Sequence, residues 1–386
     1  MIRLAIGWMT LFVMGTDLFV ISPLLPAIAA DFGASPALAG LAVTSFSVVY
    51  MVTAPALGQI ADRFGRVRIL TLCLLVFSAA NGLTAVAGNF VWLLVARIIA
   101  GAAAAGVSPS LYALVGEAAP PGRRATWLGV AVSGLLLSLS VGAPLGTLTG
   151  AAFGWPAVFA ALAALSLLLA LANLKLWPMT AHDHPMSAAA SGEPQPPLGT
   201  LVLGRRLAPT IVWATSLYAM YTYLGTGLEA YGYSTRRIAG TLVAYGAGAL
   251  IGTLLGGRLA DWRGVRFAMG LSAAGLGVSF LVLRAVLTMA GPVDLVLGVA
   301  SIAAQLFFPA QQAGLATDFP QHRATVLAWN NSALFLGISL GSLLGGQAVA
   351  RLGFADDMFV CSGVAFAAWL VTTAAAPRRV PDRVAR

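Results

Sequence analysis

Twelve apolar stretches separated by short polar turns leave this chain of 386 residues few folds to choose from. They cover residues 5–27, 38–60, 69–88, 91–113, 126–150 and 156–177, then 208–228, 238–260, 265–287, 294–316, 325–349 and 356–376. A helix needs about 20 apolar residues to cross the hydrocarbon core. Only helices and closed barrels satisfy their backbone hydrogen bonds there. Charged residues make up 9% of the chain, against about 25% in soluble domains. A surface so poor in charge faces lipid, and an all-α membrane protein of twelve transmembrane helices is expected.

The runs fall into two sets of six, residues 1–177 and 208–386, joined by a polar linker at 178–207. From His182 to Arg206 this linker is rich in proline, serine and glycine and reads as a tether. An even span count puts both termini on one side. That side also carries Arg63, Arg66 and Arg68; Arg123 and Arg124; Arg205 and Arg206; Arg258, Arg263 and Arg266; and Arg378, Arg379, Arg383 and Arg386. The opposite side holds Arg236, Arg237, Arg284 and Arg351. Cytoplasmic loops are the basic ones, so both termini are expected in the cytoplasm, with the chain in a bacterial inner membrane. The net charge of +9 is then topogenic, and no nucleic-acid partner is expected. The first apolar run, Leu4 to Ala30, is too long for a removable signal and is broken by Asp17 and two prolines. Cys73 and Cys361 sit in apolar runs and offer neither a disulfide framework nor metal-ligand spacing.

The two sets are related by an internal repeat. A shift of 199 residues aligns Gly58, Ala61, Asp62 and Gly65 with Gly257, Ala260, Asp261 and Gly264. The same shift aligns Arg124-Ala125-Thr126 with Arg323-Ala324-Thr325, and Ser133, Ser140, Gly142 and Gly146 with Ser332, Ser339, Gly341 and Gly345. One constant offset across three separated segments implies two pseudo-symmetric six-helix halves with a cavity between them. The plainer alternative is an old duplication kept only for packing.

Gly58-Gln59-Ile60-Ala61-Asp62-Arg63-Phe64-Gly65-Arg66, with its weaker copy ending in Asp261 and Gly264, resembles the loop between spans two and three of the major facilitator superfamily. The resemblance covers essentially the whole chain. It implies a conformational latch of Gly58, Asp62, Arg63, Gly65, Arg66 and Asp261 that favours the outward-facing state. Taken alone, the glycines permit a tight turn and close contact. Asp62 can accept from an arginine or a helix N-terminus. Arg97 with Gly101 and Gly106 resembles a second family motif. The run Gly134 to Gly146, with Gly142, Pro144 and Gly146, resembles the antiporter motif of exporters, although Ala143 stands where that motif usually has glycine. The arginine common after Trp155 is also missing. Thr16-Asp17-Leu18 with Pro23 and Pro26, and Asn330-Asn331, look most like the sugar, nucleoside and drug efflux branch of twelve-span proton antiporters.

An ionisable residue inside a span is a functional candidate by default, and only Asp17 and Arg97 fall clearly inside. At about 1.5 Å per residue in a core of about 30 Å, the two lie at similar depth. Asp17 is expected to carry the proton, with Arg97 as its modulator or an anion contact; the alternative is a static ion pair that fixes helix packing. Tyr50, Tyr112, Tyr218, Tyr221, Gln305, Asn330 and Asn331 are candidates for the substrate cavity, with Trp213, Tyr223, Tyr245 and Gln311 beside them. Tyrosines also serve as interface anchors. The spans carry no cluster of histidines or acids, so no enzyme, metal or cofactor is expected. His182, His184 and His322 lie in cytoplasmic segments. There is no phosphate-binding loop for ATP-driven pumping. The expected activity is export of a small organic molecule against protons by a monomer in lipid. Uptake by facilitation or proton symport on the same fold, or a non-transporting receptor, are the alternatives.

Overall fold

A computed structural model describes residues 1–177 and 199–374. His182, His184, linker residues 178–198, and Arg378, Arg379, Arg383 and Arg386 lie outside the described residues. Every regular element described is helical. In the first segment these are α1 (Ile2–Asp31), α2 (Pro36–Ala39), α3 (Leu41–Phe64), α4 (Arg66–Ala85), α5 (Phe90–Ala118), α6 (Arg124–Leu137), α7 (Ala143–Phe153) and α8 (Trp155–Leu176). In the second they are α9 (Thr200–Thr222), α10 (Leu224–Ala230), α11 (Thr235–Arg263), α12 (Val265–Val286), α13 (Ala290–Gln305), α14 (Phe307–Asp318), α15 (Arg323–Leu352) and α16 (Phe354–Ala374). Among the described residues, eleven helices are long and apolar enough to cross a membrane. The run at 208–228 is α9 followed by α10, interrupted at Tyr223. Its helix also begins at Thr200, inside the stretch expected to be linker.

Local chemistry explains the interruptions. Between α6 and α7, residues Ser138–Gly142 form a π-helical turn, and the Ala143 N–H reaches back to the Ser138 carbonyl. Pro144 follows and has no N–H to continue the α-helical ladder. Pro309, four residues after Gln305, clashes with that carbonyl in a straight helix, and the chain breaks at Leu306 between α13 and α14.

Consecutive helices run antiparallel, so their turns gather at two ends. The proximal end holds Met1, Gly65, 119–123, Gly264 and the turn 319–322. The distal end holds 32–35, 86–89, Gly154, 231–234, 287–289 and Gly353. Glycines with positive φ recur at the offset of 199: Gly33 and Gly232 (φ 57 and 81), Gly65 and Gly264 (97 and 92), Gly154 and Gly353 (84 and 83). A side chain with a Cβ is strained in this region, so the repeat holds backbone geometry as well as residue identity. Packing repeats too. Gly142 and Gly146 lie against Thr16 and Val20 of α1, and Gly341 and Gly345 lie against Thr215 and Ala219 of α9.

Two large apolar cores result. The first comes from α1, α3–α6 and α8, with Phe335 and Ile338 of α15 reaching into it. The second comes from α9–α14 and α16, joined by Leu139 of the π turn. Cys73 and Cys361 are both buried.

Candidate functional site

The Asp17–Arg97 pair forms as the sequence suggested. Gly101, one turn beyond Arg97, brings α5 against the backbone of Phe46 on α3. Arg97 then reaches across to α1, its two terminal nitrogens meeting Asp17 Oδ1 at 2.9 Å and Oδ2 at 3.1 Å. Asp17 is 0% exposed and Arg97 1%. The guanidinium lies over Phe46 at 4.6 Å and over Phe159 at 5.8 Å. Two parallel N–H···O bonds with aromatic faces on the cation give the strong form of a carboxylate–guanidinium pair. Arg97 Nε has no partner.

The next residue, Leu18, lines a small cavity where the two segments meet. Ile21, Ser22 and Val43 complete one wall, and Tyr218, Tyr221, Thr222 and Ile338 form the other. Tyr221 meets Phe19 edge-on at 6.0 Å, Tyr218 at 6.1 Å and Tyr245 at 5.4 Å. Nearer the proximal end, Tyr50 stacks on Phe335 with ring centres 3.6 Å apart, and its hydroxyl accepts from Asn331 Nδ2 at 3.2 Å. Tyr112 is a half-buried neighbour of Tyr50 on α5. Tyr50, Tyr218, Tyr221 and Asn331 therefore gather at the contact between the segments, with Tyr112 beside Tyr50.

Two of the expected cavity residues do not. Asn330 is 0% exposed and its carbonyl accepts from Thr210 of α9 at 2.7 Å, inside the second segment. Adjacent helix positions point about 100° apart, so only one of the two asparagines can face the interface. Gln305 lies at the end of α13 beside Gly252 of α11, also within that segment. Trp213 stacks on Phe307 at 4.7 Å in its core, and Gln311 donates to the Arg206 carbonyl at 2.7 Å.

Toward the distal end the segments are joined directly. The Ser22 hydroxyl donates to the Tyr221 carbonyl, and the Tyr221 hydroxyl donates to the Phe19 carbonyl at 3.2 Å. Tyr223 donates to the Ser342 carbonyl at 2.8 Å, and the Ser342 hydroxyl donates to the Gly40 carbonyl at 2.9 Å. Gly225 rests on the Pro23 backbone, Gly246 on Ser140, and Gly346 on Ala37. These small residues let the backbones close on one another. The segments are thus sealed from mid-depth to the distal end.

At the proximal turn Gly65 has φ 97. Arg66 donates to Asp62 at 3.0 and 3.1 Å and is paired with Glu117 of α5. Glu117 was not foreseen; nothing in the repeat marks it. Arg63 stacks over Phe64, and Asp261 is exposed. Open space surrounds Gly58, so its glycine is not required for close contact in this state. A larger cavity of about 430 Å³ lies at the proximal end of the second segment, lined by Arg206, Arg263, Arg266, Phe267, Gln311 and Asp318.

The fifth span packs on both segments, and its glycine face is turned to α1. Gly134, Gly142, Gly146 and Gly150 face Trp8, Thr16, Val20 and Leu24 of α1, while the same span also packs on α11, the eighth span. A Cβ on Gly142 would press into Thr16, the neighbour of Asp17, with Thr16 Cβ at 3.0 Å. The other face packs along α11, with Ser140 against Gly246. A second fully buried aspartate among the described residues was missed: Asp357 of α16, 0% exposed. It sits at the edge of the last apolar run, where depth counting places it in water. Its place in the stripe Phe354, Asp357, Met358, Cys361 and Ala365, at helical spacing, was the available signal.

Comparison with known proteins agrees with this architecture. The sequence pattern described as Major Facilitator Superfamily matches residues 7–341. Over 357 residues the chain is 29% identical to an uncharacterized MFS-type transporter, YbcL, of Bacillus subtilis (strain 168), covering 90% of this chain and 89% of that protein. Over 255 residues it is 30% identical to a chloramphenicol resistance protein of Streptomyces lividans, covering 65% of this chain and 64% of that one. Among solved structures, a bacterial homologue of the human lysosomal transporter Spinster, inward-facing and occupied, superposes with a TM-score of 0.78 at 18% identity over 96% of both chains. The helical bundle, the repeated glycine turns and these likenesses together place the chain: it is an integral membrane protein that belongs to the major facilitator superfamily.

Proposed function

We propose that the protein exports a small, partly aromatic organic molecule by antiport with protons, using alternating access between two six-helix halves. The arrangement is twelve spans, counting α9 with α10 as the seventh, in a bacterial inner membrane with both termini cytoplasmic. The distal end then faces outward, and the sealed state described here opens toward the cytoplasm. The repeated glycine turns and the mirrored packing of Gly142 and Gly341 support the two halves. The similarity to a chloramphenicol resistance protein supports export.

The observation that carries the coupling is the Asp17–Arg97 pair. A carboxylate held by both oxygens in a dry site keeps its charge only while its arginine stays in place. The pair lies one residue behind the cavity wall at Leu18, where substrate or water arriving beside it changes its surroundings. Arg97 released from Asp17 is a contact for an electron-rich group of the substrate, while Asp17 takes up the proton. The tyrosines at the interface offer flat apolar faces with polar tips for such a molecule.

Inverted membrane vesicles with an acid interior test this reading. Protons leaving the vesicle should drive chloramphenicol or a related amphipathic compound inward, and Asp17→Asn should abolish that dependence. Accumulation that ignores the gradient across a broad substrate panel, or a gradient response unchanged in Asp17→Asn, would overturn it.

A further inference from the structure

The two buried aspartates have opposite surroundings. Asp17 is matched oxygen for nitrogen by Arg97, whereas among the described residues Asp357 makes no ion pair. Its Oδ1 has no partner, and its Oδ2 faces only the Cys361 thiol at 3.5 Å, a weak donor. The charged and titratable groups on every helix packed against α16 are committed elsewhere or exposed. Asp356, the preceding residue, takes Arg284 of α12 at 2.9 and 3.0 Å, and that guanidinium lies over Phe359 at 4.6 Å. Arg351 of α15 and Glu229 of α10 are exposed. From the seventh span the facing group is Tyr223, which is within electrostatic reach of Asp357. A bare carboxylate in such a place is expensive, and the neutral acid is far less so.

We propose that Asp357 is a second proton-binding carboxyl, at the outer end of the C-terminal half, whose neutral form holds the broken seventh span in its outward-closed packing. The seventh span is clasped to α16 on both sides of Asp357. One turn before it, Phe354 is packed against Gly227 of α10; one turn after it, the Ser216 hydroxyl of α9 donates to the Cys361 carbonyl at 2.7 Å. Between these two clasps lies the break at Tyr223, and from there the chain of bonds runs through Ser342 to Gly40 of the other half. Ionising Asp357 gives its proton to outer water, and the resulting carboxylate needs hydration that only separation of α10 from α16 can admit. That separation pulls on Tyr223 and so on the seal. Reclosing takes the proton back. The physiological use of this step rests on the proton-coupled reading above, but the step itself rests only on the packing around Asp357.

The test therefore uses no substrate. Cysteines introduced at the exposed positions Leu38 and Leu352 carry spin labels across the outer end of the full-length protein in lipid, and their separation is measured from about pH 5 to about pH 9. The wild-type open-to-closed ratio should rise with pH by up to about tenfold per unit, the slope of one linked proton. Asp357→Asn should remain closed throughout, and Asp357→Glu should retain the response. Tyr223→Phe should open even at low pH, which keeps the idea testable if Asp357→Asn fails to fold. A wild-type distance that ignores pH, or a response that persists in full in Asp357→Asn, would overturn the proposal. A failed export assay would leave all of these results standing, so the two readings fail separately.

Discussion

At the scale of single residues, the geometry of Asp17 changes what its removal should do. A lone buried carboxyl can be neutralised with little disturbance. In the structure Asp17 is the sole anion of a dry, two-bonded pair. Breaking one partner of such a pair leaves a buried charge and costs about 3–5 kcal/mol. Asp17→Asn should thus lower thermal stability as well as end gradient-driven flux, whereas Asp17→Asn combined with Arg97→Gln should recover most of the stability and none of the coupling. Thermal unfolding in detergent beside flux in vesicles checks both halves of this statement. The pair was legible because two charges in apolar runs at equal depth have few other partners. Asp357 was not, because its burial depends on which way the last helix is rotated, and a run boundary carries no rotation. Asn330 fails for the same reason: a pair of adjacent asparagines does not say which one faces the interface.

At the scale of elements, the fifth span shows how glycines and a proline act together. Pro144 interrupts the α-helical ladder, the π turn Ser138–Gly142 absorbs the extra residue, and Gly142 is thereby pressed on Thr16. Overfilling such a contact costs about 1–3 kcal/mol. Gly142→Leu should push α1 aside, displace Asp17 from Arg97, and lower both thermal stability and transport; Gly142→Ala should do so less, and Thr16→Ala should partly rescue it. Thermal unfolding of the three variants gives the order. The existence of these helices followed from hydropathy, and the glycine stripe followed from spacing. Its partner did not: a smooth helix face fits any neighbour, and only the packed bundle shows that α1 is the helix pressed into it.

At the scale of the whole molecule, the two ends are held unequally. The distal end is closed by buried hydrogen bonds and backbone contacts. At the proximal turn Asp62 is half-exposed and held by Arg66, four residues on. Arg66 itself is buried and has Glu117 as a second partner, so it stays paired when Asp62 loses its charge. Asp62→Asn should therefore barely disturb the outward-closed state, and it should weaken the opposite state if the latch acts there. Each 1.4 kcal/mol of such a difference moves the balance about tenfold, and thiol labelling on the two faces should show accessibility shifting toward the cytoplasm. The turn geometry sets how that shift is carried. A single glycine separates α3 from α4, α7 from α8, α11 from α12, and α15 from α16. A hinge one residue long, already in a conformation other residues avoid, has almost no slack. Each of these helix pairs is in effect one stiff lever. Motion is left to the longer connectors and to the breaks at Tyr223, Leu306 and the π turn, so the machine has few independent joints, and engineering its speed means altering those joints.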